Sequence, residues 1–161
     1  MKAALVDAGP LLAFLDPSDL SHEQAVEAIR QLPLPLLSVE AVLSELTFLL
    51  RRNRKDMVHA LRLVEEGVVA LVPMYPDEGP RLLELMQRYA NVPMSFADAC
   101  LVRLSELFPQ APLLTFDRDF QIYRRNQHEP LPLVPEWRGV HEDPAPYGLT
   151  PDPHSPSTES P

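Results

Sequence analysis

Short apolar runs alternate along this chain with amphipathic segments of helical periodicity. The apolar runs predict strands at 3–6, 34–37, 68–72, 112–115 and 131–134. The amphipathic segments predict helices at 10–15, 21–32, 39–52, 55–66, 77–90 and 95–107. Strands that are joined through helices favour a parallel sheet with right-handed crossovers. We therefore predict an α/β fold, a three-layer α/β/α sandwich with a mostly parallel sheet of roughly five strands.

The composition of the chain changes at about residue 135. Hydrophobic residues make up 45% of the whole sequence, which is enough for one compact domain with its own core, and we assign that domain to residues 1–135. Residues 136–161 form an acidic segment rich in proline and serine. Such a composition cannot bury a core, so we expect a disordered tail.

Three features of the sequence indicate the cellular compartment of the protein. Cys100 is the single cysteine, which fits a reducing compartment. An acid already stands at position 7, too early for the apolar region of a signal peptide, and no apolar run reaches ~18 residues. We expect a cytoplasmic protein with no membrane partner.

The net charge of −9 argues at first sight against a nucleic-acid partner, because Lys and Arg supply most of the affinity for phosphate. Five of the 23 acids and one of the 14 basic residues follow position 135, so residues 1–135 carry a net charge of −5. If four or five of those acids bind metal ions, the rest of the domain is nearly neutral.

Two acids follow predicted strands. Asp7 comes directly after the first strand, and Asp117 comes two residues after the fourth. Open α/β sheets bind their ligands beyond the carboxyl ends of the strands. Both acids are therefore candidate ligands of a site at that edge.

Two further acids interrupt apolar helical patterns. Asp98 and Glu45 both have apolar neighbours three and four residues away; for Glu45 these are Ala41, Val42, Phe48 and Leu49. Glu40 shares the helix with Glu45, but at ~100° per residue it points about 140° away. Because a buried acid needs a metal ion or a basic partner, we select Glu45 rather than Glu40.

Each acid also has an ordinary structural interpretation. Asp98 stands three residues after Ser95, as in a capping box, and Asp117 could cap a short helix at 118–124. Asp7 could be a turn residue, and Asp119 a solvated acid in a first helical turn. The four acids Asp7, Glu45, Asp98 and Asp117 taken together favour a functional site.

Four segments carry a family resemblance. They are Val-Asp-Ala-Gly-Pro-Leu-Leu-Ala at 6–13, Glu-Ala-Val-Leu-Ser-Glu-Leu at 40–46, Met-Ser-Phe-Ala-Asp-Ala at 94–99 and Leu-Leu-Thr-Phe-Asp-Arg-Asp-Phe at 113–120. In order and spacing they resemble the successive motifs of PIN domains over roughly residues 1–135. The nearest likeness is to the VapC-like toxin ribonucleases and their stand-alone relatives.

This resemblance implies a ribonuclease that uses Mg²⁺ or Mn²⁺. Its catalytic metal ligands would be Asp7, Glu45, Asp98 and Asp117, with Asp119 as a weaker candidate. Thr115 would orient a water or a ligand. The resemblance also suggests a homodimer, and an antitoxin protein is an open further partner, since the sequence does not tell whether one is encoded beside this gene. Oxygen ligands of this kind suit hard divalent cations.

Basic residues near the acids are candidates for contacts with RNA. They are Arg51, Arg52, Arg54, Lys55 and Arg118. A solvated helix end explains the run at 51–55 equally well. The alternative function is a non-catalytic PIN-like module that binds RNA or a protein. Chemistry through an aspartyl phosphate is disfavoured, since Asp7 is followed by Ala-Gly rather than by a second acid two residues on.

Overall fold

A five-stranded, wholly parallel sheet forms the centre of the protein, for which a computed structural model describes residues 2–136. Its strands are β1 Leu5–Val6, β2 Leu36–Ser38, β3 Val69–Leu71, β4 Leu113–Leu114 and, after the hairpin of β5 Arg124–Arg125 and β6 Glu129–Pro130, β7 Leu133–Val134. The predicted sheet of roughly five parallel strands is confirmed.

Six helices connect the strands of this sheet. They are α1 Ala8–Leu15, α2 His22–Gln31, α3 Glu40–Arg52, α4 Val58–Glu65, α5 Gly79–Arg88 and α6 Phe96–Leu107. A 3₁₀ turn at Arg118–Gln121 follows β4. All six predicted helices are present, with ends that differ from the prediction by no more than three residues.

The strand order is β3-β2-β1-β4-β7. β1 is central, and it pairs with β2 through Leu5 and Leu37 on one side and with β4 through Val6 and Leu114 on the other. The chain thus moves outward from β1 to β3 and then returns to the other side of β1. The boundary between β1 and β4 is the point where the connections change direction, and such points hold the ligands of open α/β sheets.

The helices form two layers. α1 contacts α2 and α3, and α3 contacts α4, whereas α5 packs on α6. α6 also contacts β5 of the hairpin, and it meets α3. Right-handed crossovers place helices on opposite faces when the chain reverses its direction across the sheet. The three-layer α/β/α arrangement is therefore confirmed.

The hairpin of β5 and β6 was missed by the sequence analysis. Its paired residues are charged or proline, so they lack the alternation of apolar residues that marks a strand. Asn126 and Gln127 in its three-residue loop have positive φ angles of 47° and 73°. The short helix considered for 118–124 is the 3₁₀ turn, which ends at Gln121.

The predicted tail at 136–161 lies outside the described residues, except for Glu136. Among residues 2–136, none of the helices has the length and apolar character needed to cross a membrane.

Candidate active site

Three of the candidate acids stand where a helical segment begins, and two of these segments directly follow a strand. Asp7 follows β1 and caps α1, accepting the Ala8 N–H at 2.7 Å. Asp117 follows β4 and caps the 3₁₀ turn, accepting the Asp119 N–H at 2.9 Å. Asp98 lies in the first turn of α6. Backbone N–H groups and the positive end of a helix stabilise a carboxylate at each position.

Thr115 links the ends of the two central strands. Its side chain is fully buried, and its Oγ1 donates to Oδ2 of Asp7 at 2.9 Å while accepting the Asp117 N–H at 3.0 Å. One hydroxyl thus orients the Asp7 carboxylate and the backbone that leads into Asp117. Thr115 was predicted to orient a water or a ligand, and the structure shows it orienting the candidate ligands themselves.

Asp98 has the capping role that the sequence offered for it, and its role as a metal ligand stays a prediction. It forms a capping box with Ser95, in which the Asp98 N–H donates to the Ser95 hydroxyl at 3.0 Å and the Ser95 N–H donates to Oδ2 of Asp98 at 2.9 Å. The same oxygen accepts the hydroxyl of Tyr123 at 3.3 Å. Oδ2 of Asp98 therefore receives two hydrogen bonds.

The acids of the site repel one another. Burial raises the pKa of Asp7 to about 7, against the lowering effect of its bonds from Ala8 and Thr115, and the charges of Asp98 and Glu45 raise it further. Burial likewise raises the pKa of Asp98, with Asp117 contributing to the rise.

The acids at the exposed rim belong to the same cluster. Burial first, then the charges of Asp98 and Asp117, raise the pKa of Glu45. The pKa of Asp119 is raised by burial and by Asp117. Since carboxylates this close disfavour one another's charge, the arrangement favours a bound cation.

Glu45 lies beside the apolar stripe of α3, and the expectation that it lies within the stripe is corrected. The helix buries Val42, Leu46 and Leu50, whereas Glu45 is exposed and Phe48 is 63% exposed. The choice of Glu45 over Glu40 rests on its electrostatic interactions with Asp98 and Asp117.

The donor set fits a hard cation, although the side chains do not yet enclose one. Within residues 2–136, no three Asp, Glu, His or Cys side chains are arranged so that they could hold a metal ion between them. Mg²⁺ commonly keeps several waters and is anchored by one or two carboxylates, so separated acids remain suitable ligands. Cys100 is unsuited to such a site, because burial raises its thiol pKa to about 11.

The five candidate basic residues are all exposed. Arg51, Arg52 and Arg54 are exposed, and Arg118 is exposed beside Asp117. Lys55 also contacts buried Asp16, with its Nζ 3.2 Å from Oδ1. At ~1.5 Å per residue, the end of α3 lies about 10 Å along the helix from Glu45, within reach of a nucleotide or two of backbone.

Two residues at the site were not singled out from the sequence. Tyr123 is fully buried and bonds to Asp98, and Ser38 at the end of β2 donates from Oγ to the Val6 carbonyl at 2.8 Å. Ser38 ends an apolar strand, which is a signal available in the sequence. Tyr123 lies in a charged segment, where no pattern marks it as buried.

Comparisons with known proteins agree with this geometry. The family model described as PIN domain matches residues 4–126. The crystal structure of VapC20 from Mycobacterium tuberculosis, described as a Sarcin-Ricin loop cleaving toxin, superimposes with a TM-score of 0.69 at 22% sequence identity, covering 80% of this chain and 100% of that one. No curated protein matches the sequence. The family model includes all four candidate acids, and the chain belongs to the PIN-domain family.

Proposed function

We propose that this protein is an endoribonuclease that hydrolyses RNA phosphodiester bonds with Mg²⁺ or Mn²⁺ held by Asp7, Glu45, Asp98 and Asp117. The observation that carries this proposal is the acid cluster at the β1–β4 boundary. Four separate elements contribute carboxylates there, and the charges of neighbouring acids add to burial in raising the pKa of Asp7, Glu45 and Asp98. Like charges gathered at a ligand-binding edge of the sheet are costly unless a cation or substrate uses them.

The four acids differ in their surroundings, which suggests different tasks. Asp7 and Asp98 are buried and held by hydrogen bonds, so they would anchor the cation. Glu45 and Asp117 are exposed and would face the substrate, with Asp119 as a weaker additional ligand. When bound, the cation would supply Lewis acidity, activating water for in-line attack and neutralising charge on the phosphodiester.

Arginines at the end of α3 are the proposed contacts for the RNA backbone. Arg51, Arg52 and Arg54 are exposed, and none forms an ion pair with the residues that the structure describes. Arg118 would contribute from beside Asp117. Lys55 is a weaker contributor because it already contacts Asp16. Contacts to phosphate of this kind are independent of sequence and weaken with salt.

A role as the toxin of a toxin–antitoxin pair is the finer form of this proposal. It is supported by the fold shared with VapC20, which is itself described as a toxin. An antitoxin encoded by a neighbouring gene and a homodimeric state would accompany that role. Growth arrest on expression, relieved by co-expressing the neighbouring gene, would support it, and sedimentation would give the oligomeric state.

The alternative is a non-catalytic module that binds RNA or a protein. The intact set of four acids favours the nuclease, because a purely binding surface for RNA gains nothing from clustered carboxylates. Cleavage of RNA that depends on added Mn²⁺ and stops with a chelator separates the two functions.

The proposed site is tested by removing its buried anions one at a time. Asp7→Asn and Asp98→Asn each keep the shape of the side chain while removing a charge, and each is expected to reduce cleavage at least ~10²-fold. Asp56→Asn is the matched control, because Asp56 also accepts a backbone N–H at a helix start, that of Val58, but lies outside the cluster. Activity of both site variants at the level of the control would overturn the assignment.

A further inference from the structure

We infer that Tyr123 is a positioning residue of the proposed metal site: its hydroxyl holds Oδ2 of Asp98, leaving Oδ1 for the cation. This inference rests on the proposed function, and it specifies which oxygen of Asp98 would bind the cation. Tyr123 lies in the link between the 3₁₀ turn and β5, whereas Asp98 lies in α6.

The ring of Tyr123 is held firmly enough to aim its hydroxyl. The side chain is fully buried, and its ring makes edge-on contacts with Tyr89 and Phe120, each with centroids 5.3 Å apart. Edge-to-face aromatic pairs favour a defined orientation as well as burying area. The hydroxyl position is therefore set by packing rather than by the bond to Asp98.

The hydroxyl has two acceptors within reach, and the carboxylate is the better one. Its oxygen lies 3.3 Å from Oδ2 of Asp98 and 3.5 Å from the Pro93 carbonyl. A hydroxyl carries a single proton, and bonds to ionised acceptors are stronger than bonds to neutral ones. The shorter distance and the charge both favour Asp98.

The two oxygens of Asp98 are consequently unequal. Oδ2 receives the Tyr123 hydroxyl and the Ser95 N–H, whereas Oδ1 receives no hydrogen bond from the residues that the structure describes. Donors occupy the lone pairs of Oδ2 and leave those of Oδ1 to a cation. Groups that orient a ligand in this way tune metal affinity without touching the metal.

Asp7 receives the same two kinds of donor as Asp98, but on different oxygens: the Ala8 N–H donates to Oδ1 and the Thr115 hydroxyl donates to Oδ2. Each of the two buried acids receives one backbone N–H at the start of a helix and one buried hydroxyl, from Thr115 in one case and Tyr123 in the other. Glu45, which is exposed, has no such hydroxyl among residues 2–136. The hydroxyls of Thr115 and Tyr123 therefore donate to the two buried carboxylates, whose charged form burial disfavours most.

The test compares two tyrosines of one aromatic cluster. Tyr123→Phe removes the bond to Asp98, and Tyr89→Phe removes a hydroxyl that accepts the Arg124 N–H at 2.8 Å but does not contact the acids. Calorimetric titration with Mn²⁺, melting temperature without metal, and cleavage at several Mn²⁺ concentrations are measured for both. Tyr123→Phe should weaken Mn²⁺ binding about 10-fold. The Mn²⁺ concentration that gives half-maximal cleavage should rise by a similar factor in Tyr123→Phe. The cleavage rate at saturating Mn²⁺ should fall by a smaller factor.

The control distinguishes positioning from stability. Tyr89→Phe should lower the melting temperature while keeping the Mn²⁺ dissociation constant within twofold of the wild-type value. Unchanged Mn²⁺ affinity in Tyr123→Phe, or equal losses in the two variants, would overturn the role of Tyr123 while leaving the nuclease proposal intact. A wild-type protein that binds no Mn²⁺ would overturn both.

Discussion

Three carboxylates of this site act as helix caps as well as candidate metal ligands. Asp7, Asp98 and Asp117 each accept a backbone N–H at a helix start. The N-terminus of a helix is one of the few places where a buried acid can be held in a fixed direction without a basic partner. The capping interpretation and the functional interpretation of Asp98 were posed as alternatives, and the structure shows that the cap is what places the carboxylate in the cluster.

The metal-free protein should become less stable as Asp7 ionises. Its pKa is about 7 in the folded protein, raised from 3.8, so the folded state binds this proton more tightly than the unfolded state does. The contribution of this proton to the free energy of unfolding is therefore fully present below about pH 4. It is lost as the pH rises toward 7, which lowers the free energy of unfolding by at most about 4 kcal/mol. Asp7→Asn removes this dependence and should be the more stable protein at pH 8.

The measurement is urea denaturation with a chelator present, at pH 4.5 and at pH 8, for the wild type, Asp7→Asn and Asp56→Asn. Asp56→Asn should follow the wild type at both pH values. A difference between the wild type and Asp7→Asn that is equal at the two pH values would contradict the raised pKa of Asp7.

The two glutamates of α3 should respond differently to neutralisation. Glu45 interacts with Asp98 and Asp117, whereas Glu40 is exposed in the first turn, where the helix dipole alone favours an acid. Glu45→Gln should weaken Mn²⁺ binding and reduce cleavage at least ~10²-fold, and Glu40→Gln should change neither much. Calorimetric titration and cleavage of a fluorescent RNA measure both effects. If Glu40→Gln is the more damaging change, the site must be rebuilt around Glu40.

At the scale of elements, the sequence predicts helices and buried strands well and charged strands poorly. α3 and α6 carry apolar stripes that identify them, and β3 lies within the apolar run Val-Val-Ala-Leu-Val at 68–72. The hairpin of β5 and β6 has no such pattern, because its stability comes from contacts with α6 that lie far away in sequence. Arg125 illustrates this, since it donates to the carbonyls of Ser105 and Pro109.

Gly67 ends α4 in a conformation that other residues adopt at a cost. Its φ is +75°, its N–H donates to the Val64 carbonyl, and the Val68 N–H donates to the Leu63 carbonyl, which together form a Schellman motif. Gly67→Ala should destabilise the protein by about 1 kcal/mol, although no neighbouring atom obstructs the added methyl group.

Gly9 provides the matched control for this substitution. It lies within α1, where the backbone is helical, and an added Cβ also meets nothing within 4 Å. Gly9→Ala should leave stability unchanged or raise it by up to about 1 kcal/mol, since alanine is the better helix former. Chemical denaturation of both variants gives the comparison, and equal effects would contradict the importance of the positive φ at Gly67.

For the molecule as a whole, the order of strands is what the sequence could not supply. Asp7 and Asp117 were predicted to follow strands, but the sequence did not show that these strands, β1 and β4, are neighbours. The strand order β3-β2-β1-β4-β7 places them side by side. The partners of β1 are chosen by packing over the entire sheet, not by any local pattern in residues 3–6. The same long-range packing brings Tyr123 under Asp98.

Removal of residues 141–161 should leave the melting temperature and the cleavage rate little changed. The prediction follows from composition, because this segment is rich in proline and polar residues and has little apolar surface to bury. Thermal unfolding and cleavage by the shortened protein measure the effect. A large loss of stability would place the boundary of the domain further along the chain.

The bond between Thr115 and Asp7 joins residues 108 positions apart, and this separation matters while the protein is being made. The ribosome adds Asp7, Glu45 and Asp98 to the chain before Asp117, and β1 stays without its second neighbour until β4 emerges. Unfinished chains and fragments cut before residue 113 therefore lack a complete site. Under the proposed function, a cell that makes this protein would be exposed to the nuclease only when translation of the domain is nearly finished.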